Sequence, residues 1–151
     1  VSWFSRLAAV WTACISNCFS KPAADRSVEI AIKRHRPRRI LEIGLGNGER
    51  ARRAITLAQR FQGRHEVHFT GIDLFEDRHS ELAPFPLKDA YRQLRSTAAR
   101  VRLIPGDAYG ALVRTANSVS QIDLVMISAD VSKASLAAAW FYLPRTLAPG
   151  A

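Results

Sequence analysis

A doubly wound α/β domain, a parallel sheet with helices on both faces, is the fold class this sequence predicts, and three observations carry it. The apolar run Ile40, Leu41, Ile43 breaks into glycines at alternate positions, Gly44, Gly46 and Gly48, and a helical pattern from Arg50 to Gln62 follows at once. A second apolar stretch, Val67 to Ile72, ends in Asp73. Strand-like and helix-like segments then keep alternating along the chain, and that alternation specifies parallel strands covered on both faces.

The elements follow in order. In residues 1–24, Trp3, Phe4, Leu7, Val10, Trp11, Ile15 and Phe19 recur at helical spacing and are interrupted by Ser5, Arg6 and Asn17. This reads as an amphipathic helix lying on the domain or on a partner, not as a signal peptide. Cys14 and Cys18 fall on one face of that helix, where i, i+4 geometry does not suit a disulfide. They read as free thiols, which favours a reducing, cytoplasmic setting. Residues 25–151 form the single domain. A helix over Asp25 to Arg36 begins with an acid, carries Val28, Ile30 and Ile32, and stops at Pro37. Then come strand 40–44, helix 49–62, strand 66–73, helix 87–98, strand 101–105, helix 108–116, strand 122–128 and helix 133–147. The connection Phe75–Pro86 holds several acids, His79 and two prolines, and is long enough to be a lid or substrate loop.

Composition narrows the function classes. With 48% apolar and 23% charged residues the chain belongs with folded domains, and no apolar run approaches the roughly 20 residues that span a bilayer. The net charge is +9, and 18 of the 22 basic residues are arginine. They cluster at Lys33–Arg39, at Arg50, Arg52 and Arg53, and at Arg60 and Arg64. Such a surface attracts polyanions. The arginines of the helix lie on several sides, however, and no aromatics that stack bases are interleaved with them. Solvated helix faces explain most of that charge, and an RNA partner is the second reading. His35, His65, His68 and His79 show no metal spacing, no Cys or His stands near Cys14 and Cys18 to complete a zinc site, and no nucleophile elbow marks a hydrolase.

The glycine turn carries the chemistry. A buried strand that breaks into glycines ahead of a helix presents bare backbone N–H groups to a ligand. Asp73, at the end of the next strand, delivers a carboxylate to ribose hydroxyls, so the pair reads as a nucleoside site. A dinucleotide loop wants Gly or Ala where this chain has Glu49, and that acid in the first helical turn would repel a pyrophosphate.

The segment Glu42-Ile43-Gly44-Leu45-Gly46-Asn47-Gly48 resembles the first motif of the class I S-adenosylmethionine (SAM)-dependent methyltransferases. SAM has no phosphate and carries a sulfonium cation, so Glu42 and Glu49 are compatible with it. Later segments resemble the same family in the right order: Val101–Ala108 its third strand and the Gly-Asp-Ala that follows, Ile122–Ile127 its fourth strand, and Leu143–Gly150 the helix end and turn that introduce its fifth. The resemblance implies a Rossmann-like methyltransferase core with strand order 3-2-1-4. It also implies a cofactor site made of Glu42, Gly44, Leu45, Gly46, Asn47, Gly48, Asp73, Leu74, Gly106, Asp107 and Ala108, with Asp107 at the adenine amino group. Ile127-Ser128-Ala129-Asp130 resembles the Asp-Ala-Asp of metal-dependent O-methyltransferases, but Ser128 replaces the acid that binds the metal there. No metal is therefore expected. Asp130 is the candidate for a substrate contact or base, or else a helix N-cap shared with Ser132. A small-molecule acceptor is the expected partner, and RNA or a catalytically silent scaffold the alternatives. The family has seven strands where four are legible here, so the C-terminal strands are expected to be missing. Strand 122–128 would then be an exposed apolar edge, open to self-association, as the N-terminal helix would also be.

Overall fold

The computed structural model describes residues 21–79, 81–115 and 117–151. The expected amphipathic helix, Cys14 and Cys18 included, falls on residues outside these, apart from residues 21–24. Those four belong to the first described helix, α1 (Lys21–His35), which starts ahead of the expected Asp25. Pro22 in its first turn is compatible with that start, because the first helical N–H groups have no intrahelical acceptor. Asp25 thus lies inside the helix and pairs with Arg53 at 2.9 Å.

After α1 the order is β1 (Arg39–Ile43), α2 (Glu49–Gln62), β2 (His68–Asp73), a short 3₁₀ turn (Phe75–Asp77), α3 (Leu87–Arg95), β3 (Arg100–Pro105), α4 (Ala108–Thr115), β4 (Leu124–Ile127), α5 (Lys133–Ala139) and α6 (Leu143–Thr146). All pairings are parallel, and the sheet order is β3-β2-β1-β4, as the resemblance implies. Ile43 is in register with Ile72 on one side and Ile127 on the other. Asp73 is in register with Pro105. The turns after β1, β2, β3 and β4 therefore open along one edge of the sheet, where ligands bind in such folds.

Side-chain alternation divides each strand between two cores. Ile40, Phe69, Leu124 and Met126 pack with Ala54, Ile55 and Leu94 on one face. Leu41, Ile43, Ile72, Val125 and Ile127 pack with Leu112, Ala139 and Leu143 on the other. Burying each large aliphatic side chain contributes about 1.5–3 kcal/mol, so both layers hold the sheet. Glu42 shares the face of Ile40 and is fully buried.

Several boundaries differ from expectation, each for a local reason. The helix expected over 133–147 breaks into α5 and α6, since Pro144 has no N–H to return to the preceding turn. The helix expected over 87–98 stops at Arg95, and Ala98 takes a left-handed φ of 64° on the way into β3. The strand expected over 122–128 is regular only from Leu124, because Ile122 bridges to Leu147 instead. Within the described sheet β4 is an edge, yet Leu124, Val125, Met126 and Ile127 are only 2–9% exposed. The expected exposure of its side chains is thus corrected, while β4 remains the last strand of the described sheet: one face packs in the core that holds Ile32 of α1, and the other in the core that holds Leu143 of α6.

Candidate cofactor site

The glycine turn leaves the sheet at Gly44, whose N–H donates to Ile72 O at 2.8 Å. A Cβ at Gly44 would lie 2.7 Å from Ser128 Cβ and 2.8 Å from Val131 Cγ2, so a side chain there would push away the turn after β4. At Gly46 the φ is 58° and a Cβ would meet nothing within 4 Å. On its Cβ side the middle of the turn therefore faces open space, while Arg78 Nη2 donates to Gly46 O from elsewhere at 2.7 Å. Glu49 is the first residue of α2, as expected, and its N–H donates to Asn47 Oδ1 at 3.1 Å.

Asp73 lies directly under this turn. Leu45 N–H donates to its Oδ2 at 2.6 Å, and Phe75 N–H donates to its Oδ1 at 3.0 Å. Phe75 reaches it from a left-handed φ of 50° while its ring is buried, a conformation that costs of order 1–3 kcal/mol and that the packing must hold. Arg78 completes the shell: Nε donates to Oδ1 at 2.7 Å and Nη2 to Oδ2 at 2.8 Å. Burial pushes the Asp73 carboxyl up, but the Arg78 guanidinium and the two backbone N–H groups outweigh it and hold it below its usual range.

Glu42 is the opposite case. Arg50 Nε donates to its Oε1 at 2.7 Å, and Arg50 Nη2 reaches Gly44 O at 3.3 Å. Its other oxygen, Oε2, is buried and finds no hydrogen-bond partner among the described residues. Burial dominates here, with Arg50 opposing it and the nearby Asp73 charge adding to it, and pushes the carboxyl up to about 7.

The remaining predicted residues fall along the same edge. Leu74 opens the 3₁₀ turn, Gly106 leaves β3 with its N–H on Asp73 O at 2.9 Å, and Ala108 begins α4, buried. Asp107 accepts from Gly110 N–H at 3.2 Å through Oδ1 and, through Oδ2, a short bond from the Ser135 hydroxyl. That hydroxyl bond, ahead of its slight burial, holds the Asp107 carboxyl below the usual range. Asp130 is exposed in the turn after β4, 3.4 Å from Ser128 Oγ. The N-cap of α5 is Ser132, which accepts from Ser135 N–H at 3.4 Å, so Asp130 is not tied up as the cap. Among the described residues no group of three or more His, Cys, Asp or Glu side chains converges as a metal site would require.

Sequence reading missed Arg50, Arg78 and Ser135. Arg50 is hidden in the Arg50, Arg52, Arg53 cluster, and its signal is its place in the first helical turn after an acidic strand residue. Arg78 and Ser135 carry no periodic signal, since loop and helix packing bring them to their acids.

The parallel sheet of order 3-2-1-4 with helices on both faces is a Rossmann-like fold. No protein-family model matches the sequence, and no curated protein matches it. Solved structures do. The O-methyltransferase TomG from Streptomyces achromogenes, involved in tomaymycin synthesis and crystallised with SAM, superposes with a TM-score of 0.60 at 20% identity, over 89% of this chain and 55% of that one. An O-methyltransferase from Bacillus cereus in complex with S-adenosylhomocysteine (SAH) gives 0.60 at 18% identity, over 97% and 61%. A SAM-dependent methyltransferase from Thiobacillus denitrificans, also with SAH, gives 0.53 at 21% identity, over 99% and 53%. At such identities the likeness is one of fold, and the chain spans little more than half the length of each of these proteins.

Proposed function

We propose that this chain binds SAM at the turn edge of its sheet and forms the cofactor-holding part of a methyltransferase that acts on a small-molecule acceptor without a metal. The observation that carries the reading is the pairing of an open glycine turn with a buried, unsatisfied Glu42 oxygen behind it. An orphaned buried oxygen is costly, and a cationic ligand whose charge or N–H groups offset that cost suits the site. When bound, SAM supplies an activated methyl group. The chain's own part is to bind and orient. Gly46 leaves room at the turn, Asp73 is assigned the ribose hydroxyls, Asp107 the adenine amino group, and Glu42 compensates the cationic end. Transfer from a sulfonium can be catalysed largely by alignment and exclusion of water, so a strong base is not required. Asp130, exposed beside the turn after β4, is the residue we assign to the acceptor.

Isothermal calorimetry with SAH and with NAD tests the reading. SAH should bind the folded chain or its full-length parent, and NAD should not; a folded full-length protein that ignores SAH and SAM would end the proposal. Ser128 in the metal-acid position motivates the metal-independent part. Transferase activity should survive EDTA, and activity lost with chelator and restored by magnesium would overturn that part.

One observation favours the RNA alternative. A groove of about 400 Å³ is lined by Arg52, Arg60 and Arg64 together with Thr56, Gln59, Ser96 and Thr97. Most of these residues lie toward the C-terminal end of α2, away from the glycine turn. We expect RNA binding there to be weak and to vanish near physiological salt, since counterion release gives a slope of about −0.7 per single-strand phosphate contacted. Tight, sequence-selective binding at that salt would favour the alternative.

A further inference from the structure

An ionised carboxylate offers about four lone-pair positions, and in Asp73 all of them are taken. Two belong to backbone N–H groups, of Leu45 and Phe75, and two to the Arg78 guanidinium. The backbone donors are built into the turns after β1 and β2. The guanidinium sits on a connecting segment and is the part that can leave. It makes two further bonds: Nη2 donates to Gly46 O at 2.7 Å and Nη1 to Ala83 O at 3.1 Å. It also lies 5.4 Å from the centre of the Phe85 ring, which in turn packs where a Cβ on Gly48 would be. One side chain thus joins the ribose carboxylate, the open middle of the glycine turn and the segment before α3.

We propose that Arg78 is a latch on the cofactor site: its guanidinium occupies Asp73 and must be displaced before ribose hydroxyls can bind there. This rests on the nucleoside reading above, since only a ligand that needs Asp73 competes with Arg78. The 2′- and 3′-hydroxyls would donate to the lone pairs that the guanidinium vacates, and the freed cation would swing out with the Phe85 segment. The latch lowers apparent affinity by the fraction of time it is closed. It also keeps the buried carboxylate charged and paired.

The test compares wild type with Arg78→Met, which keeps the aliphatic reach to Phe85 but has no donors, and with Arg78→Lys, which keeps the charge without the two-pronged geometry. SAH is the probe, read by calorimetry and by the ¹H–¹⁵N resonance of the Arg78 Nε–H. We expect Arg78→Met to bind SAH about tenfold more tightly, with Arg78→Lys in between. In wild type the Nε–H resonance should be protected without ligand and should shift or broaden away as SAH saturates the site. SAH binding with an unmoved Nε–H resonance, or a folded Arg78→Met chain that binds SAH no more tightly, overturns the latch and leaves the cofactor reading standing. SAH binding to none of the three folded chains overturns the cofactor reading, and the latch with it. If Arg78→Met does not fold, Arg78→Lys and the wild-type resonance decide the matter.

Discussion

Two acid–arginine pairs stand on neighbouring parallel strands, and they are built in opposite ways. Glu42 of β1 meets Arg50, 8 residues on, and Asp73 of β2 meets Arg78, 5 residues on. Both acids are buried, and both arginines come from the segment after the strand. Glu42 lies within its strand, where the neighbouring N–H groups serve the sheet, so burial wins and one oxygen stays unsatisfied. Asp73 lies at the strand end, where two turns aim free N–H groups at it, so the donors win. Depth of burial and the number of donors within reach together decide which carboxylate keeps its charge.

The largest expected effect tests the saturated pair. Asp73→Ala leaves a buried guanidinium and two N–H groups without their acceptor, so the chain should lose about 3–5 kcal/mol in urea unfolding. Any SAH affinity that remains should fall roughly tenfold to hundredfold. Combining it with Arg78→Met should recover part of the stability. An Asp73→Ala midpoint equal to wild type would mean that the shell around Asp73 carries no weight.

The pair in β1 makes a pH prediction. Its folded pKa of about 7 lies above the ordinary 4.5 of the unfolded chain. Between those values the folded chain holds a proton that the unfolded chain has released. Glu42 therefore favours folding at low pH, and its contribution declines as pH rises through that window, by about 3 kcal/mol in all, and is level above it. Asp73, shifted down, has the opposite slope: its contribution is present above the ordinary carboxylate range and is lost as pH falls through its own lower pKa. Glu42→Gln should remove the first slope and spare the second. Stability profiles of the two chains that coincide from pH 4.5 to 7 would show that Glu42 is not proton-linked.

The glycine turn gives a smaller contrast. Gly44→Ala drives a Cβ to 2.7 Å from Ser128 Cβ and should cost about 2–3 kcal/mol, whereas Gly46→Ala meets nothing and should cost about 1–2 for its left-handed backbone. Ligand affinity should reverse that order, with Gly46→Ala the more damaging to SAH binding among folded chains. Equal effects on both measurements would remove the division between a packed side and an open side of the turn. The smallest effect concerns the third carboxylate. Ser135→Ala removes one hydroxyl from exposed Asp107 and should lower stability by about 0.5–1.5 kcal/mol, read as a drop of a few degrees in Tm. A larger loss would put Asp107 in the same class as Asp73.

The alternation of apolar strands and amphipathic helices, the three glycines and the acids at Glu42 and Asp73 determine the architecture by themselves. Local patterns suffice there, because strand and helix periods are written in adjacent residues and a glycine turn declares itself by its missing side chains. Strand order 3-2-1-4 followed from resemblance in the sequence, and the observed register agrees with it. Tertiary structure alone decided what each acid meets. Arg50 looks like one more surface charge, Arg78 like loop filler and Ser135 like an ordinary helix residue until packing brings them to Glu42, Asp73 and Asp107. It also decided that both faces of the edge strand β4 are buried, since Ile32 and Leu143, in the cores on those faces, come from helices at the two ends of the described chain. Hydrogen bonding and burial depend on distance in space, and residues far apart in sequence acquire that proximity only when the helices close over the sheet.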